Sequence, residues 1–407
     1  MNLTLIFYII IGAGGAKNGP KRFVFSWRIC NFEGIKRPKM TTTSSLYVHI
    51  PFCKRLCGYC DFYKTMSLGR KAEVVEAICN EIARRAPMLE GTVLKTIYFG
   101  GGTPTVCTAE ELGQIVAAAR GVFDCSEVEE MTIEANPDDL TDEYLQGLRR
   151  VGFNRLSIGI QSFADEDLQF MNRRHDGAGA VRAVEAARRA GFDNISIDLI
   201  YGLPTATEQG WRANVEQAVA LGVEHISAYH LTIEEGTLFG KRGVKTAPEE
   251  VADREYEILC EVLGRAGYDH YEISNFSLPD RRSKHNSAYW RGTPYLGVGP
   301  AAHSYDGVAT RSWNVASVAR YLEGVRPEEE HLSIGELYEE YVMVRLRTKE
   351  GLSVSEVEQR FGREYVQKLL AAAEQFVGCG WLVSVGDQIR CAEEHWLVSD
   401  AVIAELF

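Results

Sequence analysis

The sequence has little that would hold the protein in a membrane. Its apolar stretch near the amino terminus, Leu3 to Ala13, is too short for a spanning helix, which needs about 20 residues. No Lys or Arg precedes this stretch, although a secretory signal requires a basic residue there. We therefore expect no stable membrane insertion and a cytoplasmic location.

Positive charge is also scarce. The 407-residue chain has a formal net charge of -12, whereas nucleic acids and anionic membranes attract a basic protein surface. Residues 333–407 contain 7 Lys and Arg against 13 Asp and Glu, so the carboxyl-terminal part is acidic as well. We therefore expect no nucleic-acid partner.

Cysteines are too sparse for a disulfide scaffold, since a chain of this length has only ten of them. Three cluster at positions 53, 57 and 60, which indicates a reducing compartment and a metal site. Six others stand singly in apolar patterns and are predicted to be core residues. These are Cys79, Cys107, Cys125, Cys260, Cys379 and Cys391.

The first 40 residues differ in composition from the rest of the chain. Basic residues follow the apolar stretch, and Met40 stands shortly before the first strong strand pattern. We interpret this as a mis-called start with the real one at Met40; an amphipathic targeting segment is the alternative. Either way, residues 1–40 are predicted to lie outside the folded core.

From Leu46 onward, strand patterns alternate with helical patterns. Helical spacing of apolar residues covers Lys71 to Ala86, Glu110 to Gly121 and Ala178 to Ala190. Six successive βα units imply a parallel sheet with right-handed crossovers. The six predicted strands begin near Leu46, Leu94, Glu130, Asn154, Asn194 and Glu224.

A sheet of this kind is either open and doubly wound or curled into a partial barrel. Polar residues and glycines fall where predicted strands end, and a barrel builds its site at that face. We therefore predict an α/β fold, a partial (β/α)6 TIM-like barrel, over residues 41–275. The residues in question are Gly100 to Thr103, Glu134, Gln161, Asp198 and Tyr229.

Two further segments follow the predicted barrel. A short strand pattern at His270 to Ser274 leads into residues 276–332, rich in His, Asn, Tyr, Trp and Gly, which we expect to close the barrel. Residues 333–407 contain helices followed by strand patterns at 382–385 and 388–390 around a Gly-Asp turn, a hairpin signal. This predicts a small winged-helix-like α+β domain.

The cysteine cluster, Cys53-x-x-x-Cys57-x-x-Cys60, follows the first strand directly. Three thiolates hold three irons of a cubane and leave the fourth iron open to the amine and carboxylate of a small molecule. A zinc site with His49 as the fourth ligand is the alternative. Tyr59, between the last two cysteines, either shields a cluster and touches an adenine or serves only for packing.

The string HIPFCKRLCGYCDF resembles the oxygen-independent coproporphyrinogen III oxidase-like family of the radical S-adenosylmethionine (SAM) superfamily. The resemblance extends from about Leu46 to the carboxyl terminus. It implies the radical SAM type of barrel, a [4Fe-4S] cluster on Cys53, Cys57 and Cys60, and SAM as a second cofactor.

The resemblance also implies which residues contact SAM. The glycine-rich element after the second strand approaches the amino group of SAM, and polar side chains on successive loops bind its ribose, amine and carboxylate. Taken singly, each polar residue could equally form an ordinary salt bridge at a barrel mouth. The implied SAM residues are Tyr47, Tyr59, Gly101, Gly102, Thr103, Glu134, Gln161, Arg173, Asp198 and, more loosely, Thr232.

Two branches of the family differ in their motifs. The oxidases resemble CxxxCxxCxC, but Phe62 stands here at the position of the extra cysteine. The second branch consists of heme chaperones, which resemble HNxxYW, and this sequence reads His285-Asn286-Ser287-Ala288-Tyr289-Trp290. This branch implies heme as a ligand, acceptor proteins such as respiratory enzymes, and a reducing electron donor.

The predicted heme ligand is His285, supported by Asn286, Tyr289 and Trp290, because an imidazole ligates heme iron and aromatic rings cover a porphyrin face. His303 in GVGPAAHSY could ligate heme, contact SAM or cap a loop. We predict a heme chaperone. The alternatives are an oxygen-independent coproporphyrinogen III oxidase and another radical SAM enzyme.

Overall fold

The computed structural model describes residues 43–407, and the predicted extension 1–40 lies outside the described residues. Fifteen strands and fourteen α-helices are assigned within that range. The strands are β1 Thr43–Ile50, β2 Val93–Gly101, β3 Glu130–Ala135, β4 Arg155–Gln161, β5 Ile195–Tyr201, β6 His225–His230, β7 Asp269–Glu272, β8 Asn275–Ser277, β9 Tyr295–Val298, β10 His303–Tyr305, β11 Thr310–Trp313, β12 Glu328–His331, β13 Leu352–Ser353, β14 Leu382–Val385 and β15 Gln388–Cys391.

Most of the helices connect or follow the parallel strands, and a group near the carboxyl terminus packs against a separate small sheet. The helices are α1 Lys71–Arg85, α2 Ala109–Val122, α3 Asp142–Val151, α4 Asp165–Phe170, α5 Gly177–Arg189, α6 Glu208–Ala220, α7 Leu238–Lys241, α8 Glu249–Arg265, α9 Lys284–Trp290, α10 Val318–Leu322, α11 Ile334–Leu346, α12 Val354–Phe361, α13 Arg363–Gly378 and α14 Ser399–Ala404.

The large sheet has the strand order β12-β11-β10-β9-β1-β2-β3-β4-β5-β6-β8-β7. Strands β1 to β6 are neighbours in sequence order and pair in parallel. Strand β9 adds to β1 in parallel, while β8 adds to β6 antiparallel. The sheet does not close on itself, so the predicted partial barrel is confirmed as an open curved sheet.

The predicted strand starts and helix spans agree with the observed elements to within a few residues, because strong local signals set the boundaries. Thr108 begins α2 with a capping box, in which its side chain and that of Glu111 each bond the backbone of the other. Gly152 ends α3 in the left-handed region, at φ 116°. Each signal acts within one helical turn, which is why the sequence reveals it.

Alternation along the strands divides the side chains between two environments. In β1, Leu46, Val48 and Ile50 belong to the main hydrophobic core between sheet and helices. Ser45 and Tyr47 point to the opposite face, where neighbouring strands also place polar groups. The curved sheet therefore encloses a polar interior.

A second hydrophobic cluster lies among α11 to α14 and the three-stranded sheet β13-β15-β14. The hairpin expected near residues 382–390 is formed by β14 and β15. The prediction that Cys379 is a core residue is wrong: it is exposed, because it caps the last turn of α13. Within residues 43–407, no helix has the length and apolarity needed to cross a membrane.

Candidate functional site

A cavity of about 1360 Å³ lies at the carboxyl ends of the parallel strands. Its wall begins at the cysteine loop after β1, passes the ends of β2 to β6 and reaches the carboxyl-terminal helices and hairpin. This is the mouth of the barrel, where loops from different strands converge. The cavity is therefore the place to test each predicted site residue.

All three predicted cluster ligands line this cavity. Arg173 donates a hydrogen bond from Nη1 to the Cys57 sulfur at 3.2 Å, and the Cys53 sulfur lies 3.4 Å from the Thr103 hydroxyl. Burial raises the pKa of Cys53 to about 11 and also raises the pKa of Cys60. Bound iron reverses this preference, because a coordinated thiol loses its proton.

The arrangement fits a cubane better than the zinc site that the sequence left open. Each cysteine of a cubane binds a different iron, so three thiols are sufficient, whereas a closed zinc site needs a fourth protein ligand. The ring nitrogens of His49 lie 3.2 Å from the Tyr47 hydroxyl and 3.1 Å from the Tyr63 carbonyl. His49 is thus engaged away from the cysteines.

The glycines after β2 are required by the chain itself. A Cβ on Gly102 would lie 2.7 Å from the backbone oxygen of Phe52, next to the cysteine loop. Gly101 adopts φ 108°, and a Cβ there would lie 2.6 Å from the His49 ring. Close packing between β2 and the cysteine loop therefore brings the Gly101 and Gly102 backbone to the cavity beside Cys53.

Glu134 connects this glycine element to the barrel interior. Its carboxylate accepts hydrogen bonds from the Tyr98 hydroxyl at 2.9 Å and from the Gly101 backbone N–H at 3.2 Å. Burial, with a smaller contribution from the negative charge of Asp198, raises the pKa of Glu134 to about 7. Such a carboxylate favours a ligand that brings hydroxyl donors or positive charge.

Gln161 and Arg173 are held in unusual local geometry. Gln161 has φ 73°, at a bulge where β4 meets β5, and a strained backbone of this kind often marks a binding site. Arg173 donates to the Asn136 side chain at 2.7 Å and to the Gly159 carbonyl, and its buried Nε has no partner in the described chain. Both side chains face the cavity.

Nine of the ten predicted SAM residues line the cavity. Tyr47 is the exception: it is 3% exposed, lies in the barrel interior and packs with Tyr98, Tyr289 and Trp290. The nine are Tyr59, Gly101, Gly102, Thr103, Glu134, Gln161, Arg173, Asp198 and Thr232.

The predicted heme motif lies elsewhere, on helix α9 at the amino ends of the strands, which we call the barrel floor. His285 is 1% exposed; its Nδ1 lies 2.7 Å from the Thr96 hydroxyl and its Nε2 lies 2.6 Å from the Tyr289 hydroxyl. Burial lowers the pKa of His285 to about 3. Glu130 accepts the backbone N–H groups of Lys284 and His285, which fixes the start of the helix.

The other predicted heme residues are also outside the mouth cavity. Tyr289 and Trp290 border a separate cavity of about 70 Å³, which has room for one or two waters. Asn286 is 4% exposed, and its Oδ1 has no partner in the described part of the chain. His303 stacks on Trp313, with ring centroids 5.9 Å apart. The structure thus separates the heme motif from the cysteines.

Sequence reasoning missed the far side of the mouth cavity, which we call the distal wall. It contains Tyr201, Tyr256, Arg347, Trp381 and His395, contributed by β5, α8 and the carboxyl-terminal region. The alternation of β5 could have revealed Tyr201. The other four lie far apart in sequence, and no local pattern connects them.

Two family models match the chain. The Radical SAM superfamily model covers residues 47–218, and the HemN C-terminal domain model covers residues 332–398. The first match contains the cysteine loop and most of the mouth residues. The second contains α11 to α13 and the hairpin.

Several curated proteins are similar over most of their length. A heme chaperone HemW from Lactococcus lactis subsp. lactis is 37% identical over 78% of this chain and 85% of its own. One from Bacillus subtilis is 36% identical over 78% and 87%. The mitochondrial radical S-adenosyl methionine domain-containing protein 1 of Danio rerio is 29% identical over 90% and 88%.

A solved structure has the same fold throughout. The coproporphyrinogen III oxidase HemN of Escherichia coli, described as a radical SAM enzyme, matches with a TM-score of 0.79 over 91% of each chain. Its sequence identity is 24%, so this match establishes the architecture alone.

Proposed function

This chain belongs to the heme chaperone HemW family of the radical SAM superfamily, and on that premise we propose that it binds heme and delivers it to an acceptor protein. The observation that carries the proposal is the similarity to HemW proteins over 78% of the chain. The expected acceptors are proteins such as respiratory enzymes, in the cytoplasm, where thiol ligands stay reduced.

Membership of the radical SAM superfamily implies a [4Fe-4S] cluster and SAM. We propose that Cys53, Cys57 and Cys60 hold the cluster, since all three line the mouth cavity. The nine cavity-lining residues predicted from sequence form the proposed SAM site, while Tyr47 supports it from the barrel interior. When reduced by an electron donor, a cluster of this type supplies the electron that cleaves SAM.

The contribution of this chain is to orient SAM. Burial and the negative charge of Asp198 raise the pKa of Glu134, and a SAM ammonium group or ribose hydroxyls would compensate its carboxylate. Arg173 is aimed at Cys57 and has a spare donor for a SAM carboxylate. Tyr59 lies on the same wall and offers a ring to the adenine.

The HNxxYW helix remains a proposed heme element, with a condition that the structure makes explicit. His285 can ligate iron only after it releases one of its two hydrogen bonds, to Thr96 or to Tyr289, because both ring nitrogens are engaged. Since His285 is 1% exposed and the neighbouring cavity measures about 70 Å³, heme binding by His285, Asn286, Tyr289 and Trp290 requires α9 to move. His303, half-buried beside Trp313, is a further proposed heme-binding residue.

Oxidative decarboxylation of coproporphyrinogen III is the second candidate, because the oxidase of Escherichia coli has the same fold. Phe62 argues against it. The side chain lines the cavity beside Cys60, at the position where the oxidase pattern has a further cysteine, and a phenyl ring carries neither protons nor electrons there.

The test uses full-length protein with the cluster reconstituted anaerobically. One sample receives heme; another receives coproporphyrinogen III, SAM and a reductant. We expect stoichiometric heme binding and no decarboxylation. Decarboxylation without heme binding would replace the chaperone proposal with the oxidase.

A further inference from the structure

The distal wall of the mouth cavity has the properties of a binding site for an iron tetrapyrrole. We propose that heme binds against this wall, with His395 as an axial iron ligand and Arg347 paired with a propionate. The inference rests on the proposed heme-binding function and deepens it, because it names a site away from the HNxxYW helix.

The first observation is the size of the cavity. Ligand cavities usually measure about 300–1,000 Å³, and this one measures about 1360 Å³. The cysteine loop and the glycine element line this cavity together with the distal wall. The cavity therefore has room for a large second ligand beside SAM.

The second observation is the chemistry of the distal wall. Tyr201 and Tyr256 are buried, with ring centroids 6.1 Å apart, and Trp381 faces the cavity from the carboxyl-terminal domain. Leu397 and Val398 line the same cavity and are 40% and 44% exposed. A broad aromatic and aliphatic wall of this kind suits the face of a flat apolar macrocycle.

The third observation is the state of His395. Its ring stacks on Trp381 with centroids 5.2 Å apart and an interplanar angle of 25°. Stacking occupies a ring face and leaves the ring edge, where the nitrogens lie, available for iron. Within residues 43–407, no hydrogen bond engages these nitrogens, in contrast to those of His285 and His49.

The fourth observation is a buried cation with a spare donor. Arg347 is 3% exposed and lines the cavity; its Nε donates to Asp400 at 2.9 Å, but its Nη1 has no partner in the described chain. An unpaired buried guanidinium nitrogen costs stability until an acceptor reaches it. A carboxylate is the acceptor that matches its geometry best, and heme carries two.

The small cavity beside Tyr289 and Trp290 cannot hold heme in this conformation. Its volume of about 70 Å³ is far below that of any tetrapyrrole. The distal wall needs no movement of α9, so the barrel floor stays intact when heme binds.

The experiment is a heme titration of the full chain with its cluster reconstituted, followed by the Soret band, for the native protein and three variants. We expect His395→Ala to weaken heme binding at least tenfold and to shift the Soret band. His331→Ala, at an exposed histidine of β12, is the control that is expected to bind heme like the native protein. His285→Ala is included to test the α9 site.

Each result decides between sites. Native heme affinity and spectrum in His395→Ala would overturn the proposed heme site at the distal wall. Loss of heme binding in His285→Ala, with His395→Ala unaffected, would place heme on α9. If the native protein itself binds no heme, the proposed function fails together with the proposed site. Failure of the site alone, with heme still bound by the native protein, is therefore distinguishable from failure of the function.

The role of Arg347 is tested without relying on a variant that might not fold. The native protein is titrated with heme and with heme dimethyl ester, whose arms cannot pair with a guanidinium. We expect the ester to bind about tenfold more weakly, and Arg347→Gln to remove this difference. Equal affinities of the native protein for both compounds would overturn the assignment of Arg347.

Discussion

The floor and the mouth of the barrel both contain buried polar residues. They differ in the hydrogen-bond partners of their histidine and arginine side chains. At the floor, His285 bonds Thr96 and Tyr289, and His225 bonds Ser196 and Tyr271. At the mouth, buried nitrogens of Arg173 and Arg347 have no partner in the described chain. The floor histidines use both ring nitrogens to stabilise the fold, whereas the arginines that line the mouth cavity keep a donor that a ligand can use.

Two glutamates of β3 show the contrast within one strand. Glu130, at the floor, accepts two backbone N–H groups of α9 and lies 4.0 Å from the Arg155 guanidinium. Glu134, at the mouth, accepts a tyrosine hydroxyl and one N–H, and its pKa rises to about 7. The same residue type is thus engaged by the fold at one end and lines the cavity of the proposed SAM site at the other.

The largest expected effect concerns the mouth. Cys57→Ala removes one of three iron ligands, so we expect loss of the cluster absorbance and of most of the iron after anaerobic reconstitution. Cys379→Ala, at an exposed cysteine far along the chain, is the matched control. Full iron retention in Cys57→Ala would show that these cysteines do not hold the cluster.

The next effect concerns the floor. His285→Ala leaves Thr96 and Tyr289 without their shared partner, so we expect the free energy of unfolding to fall by about 2–4 kcal/mol. Denaturant unfolding measures this loss, with His331→Ala as a control that changes little. Native stability in His285→Ala would contradict the floor as a structural network.

A pair of variants on β3 sharpens the comparison. Glu134→Gln is expected to weaken SAM binding about tenfold without lowering the free energy of unfolding, since a neutral amide suits this buried position. Glu130→Gln should lower the free energy of unfolding by about 1–3 kcal/mol with SAM affinity retained. Calorimetric SAM titration and denaturant unfolding of both variants test this, and the reverse pattern would break the comparison.

The last expected effect is on pH dependence. The folded pKa of Glu134, about 7, exceeds its unfolded value of 4.5, so the folded protein binds the proton more tightly. The stability that this proton gives is present below pH 4.5 and is lost as the pH rises through 7. Unfolding of the SAM-free protein should therefore depend less on pH in Glu134→Gln, and an identical pH profile would contradict the shift.

Local patterns predicted the parallel core well. The strands from Leu46 to Glu224 and the hairpin at 382–390 were visible because alternation and turn residues act within a few positions. The cysteine loop and the glycine element were visible for the same reason. Nine of ten implied SAM residues lie on one cavity because the carboxyl ends of parallel strands share an edge.

Two kinds of residue were beyond the reach of local pattern. Cys379 stands in an apolar context, yet it is exposed because α13 ends there. His285 belongs to a motif that predicts heme binding, yet its ring lies on the barrel floor. The contacts of α9 with β2 and β3 set this position. Short motifs report residue types and not the side of the barrel to which a helix docks.

The sequence by itself determined the order of strands and helices, the three cysteines in one loop and the membership of a radical SAM family, because these depend on neighbours along the chain. The tertiary structure decided that His285 bonds within the floor and that Arg347 and His395 join a cavity begun at Cys53. The physical reason is that burial and hydrogen-bond satisfaction depend on segments hundreds of residues apart, and only packing brings those segments together.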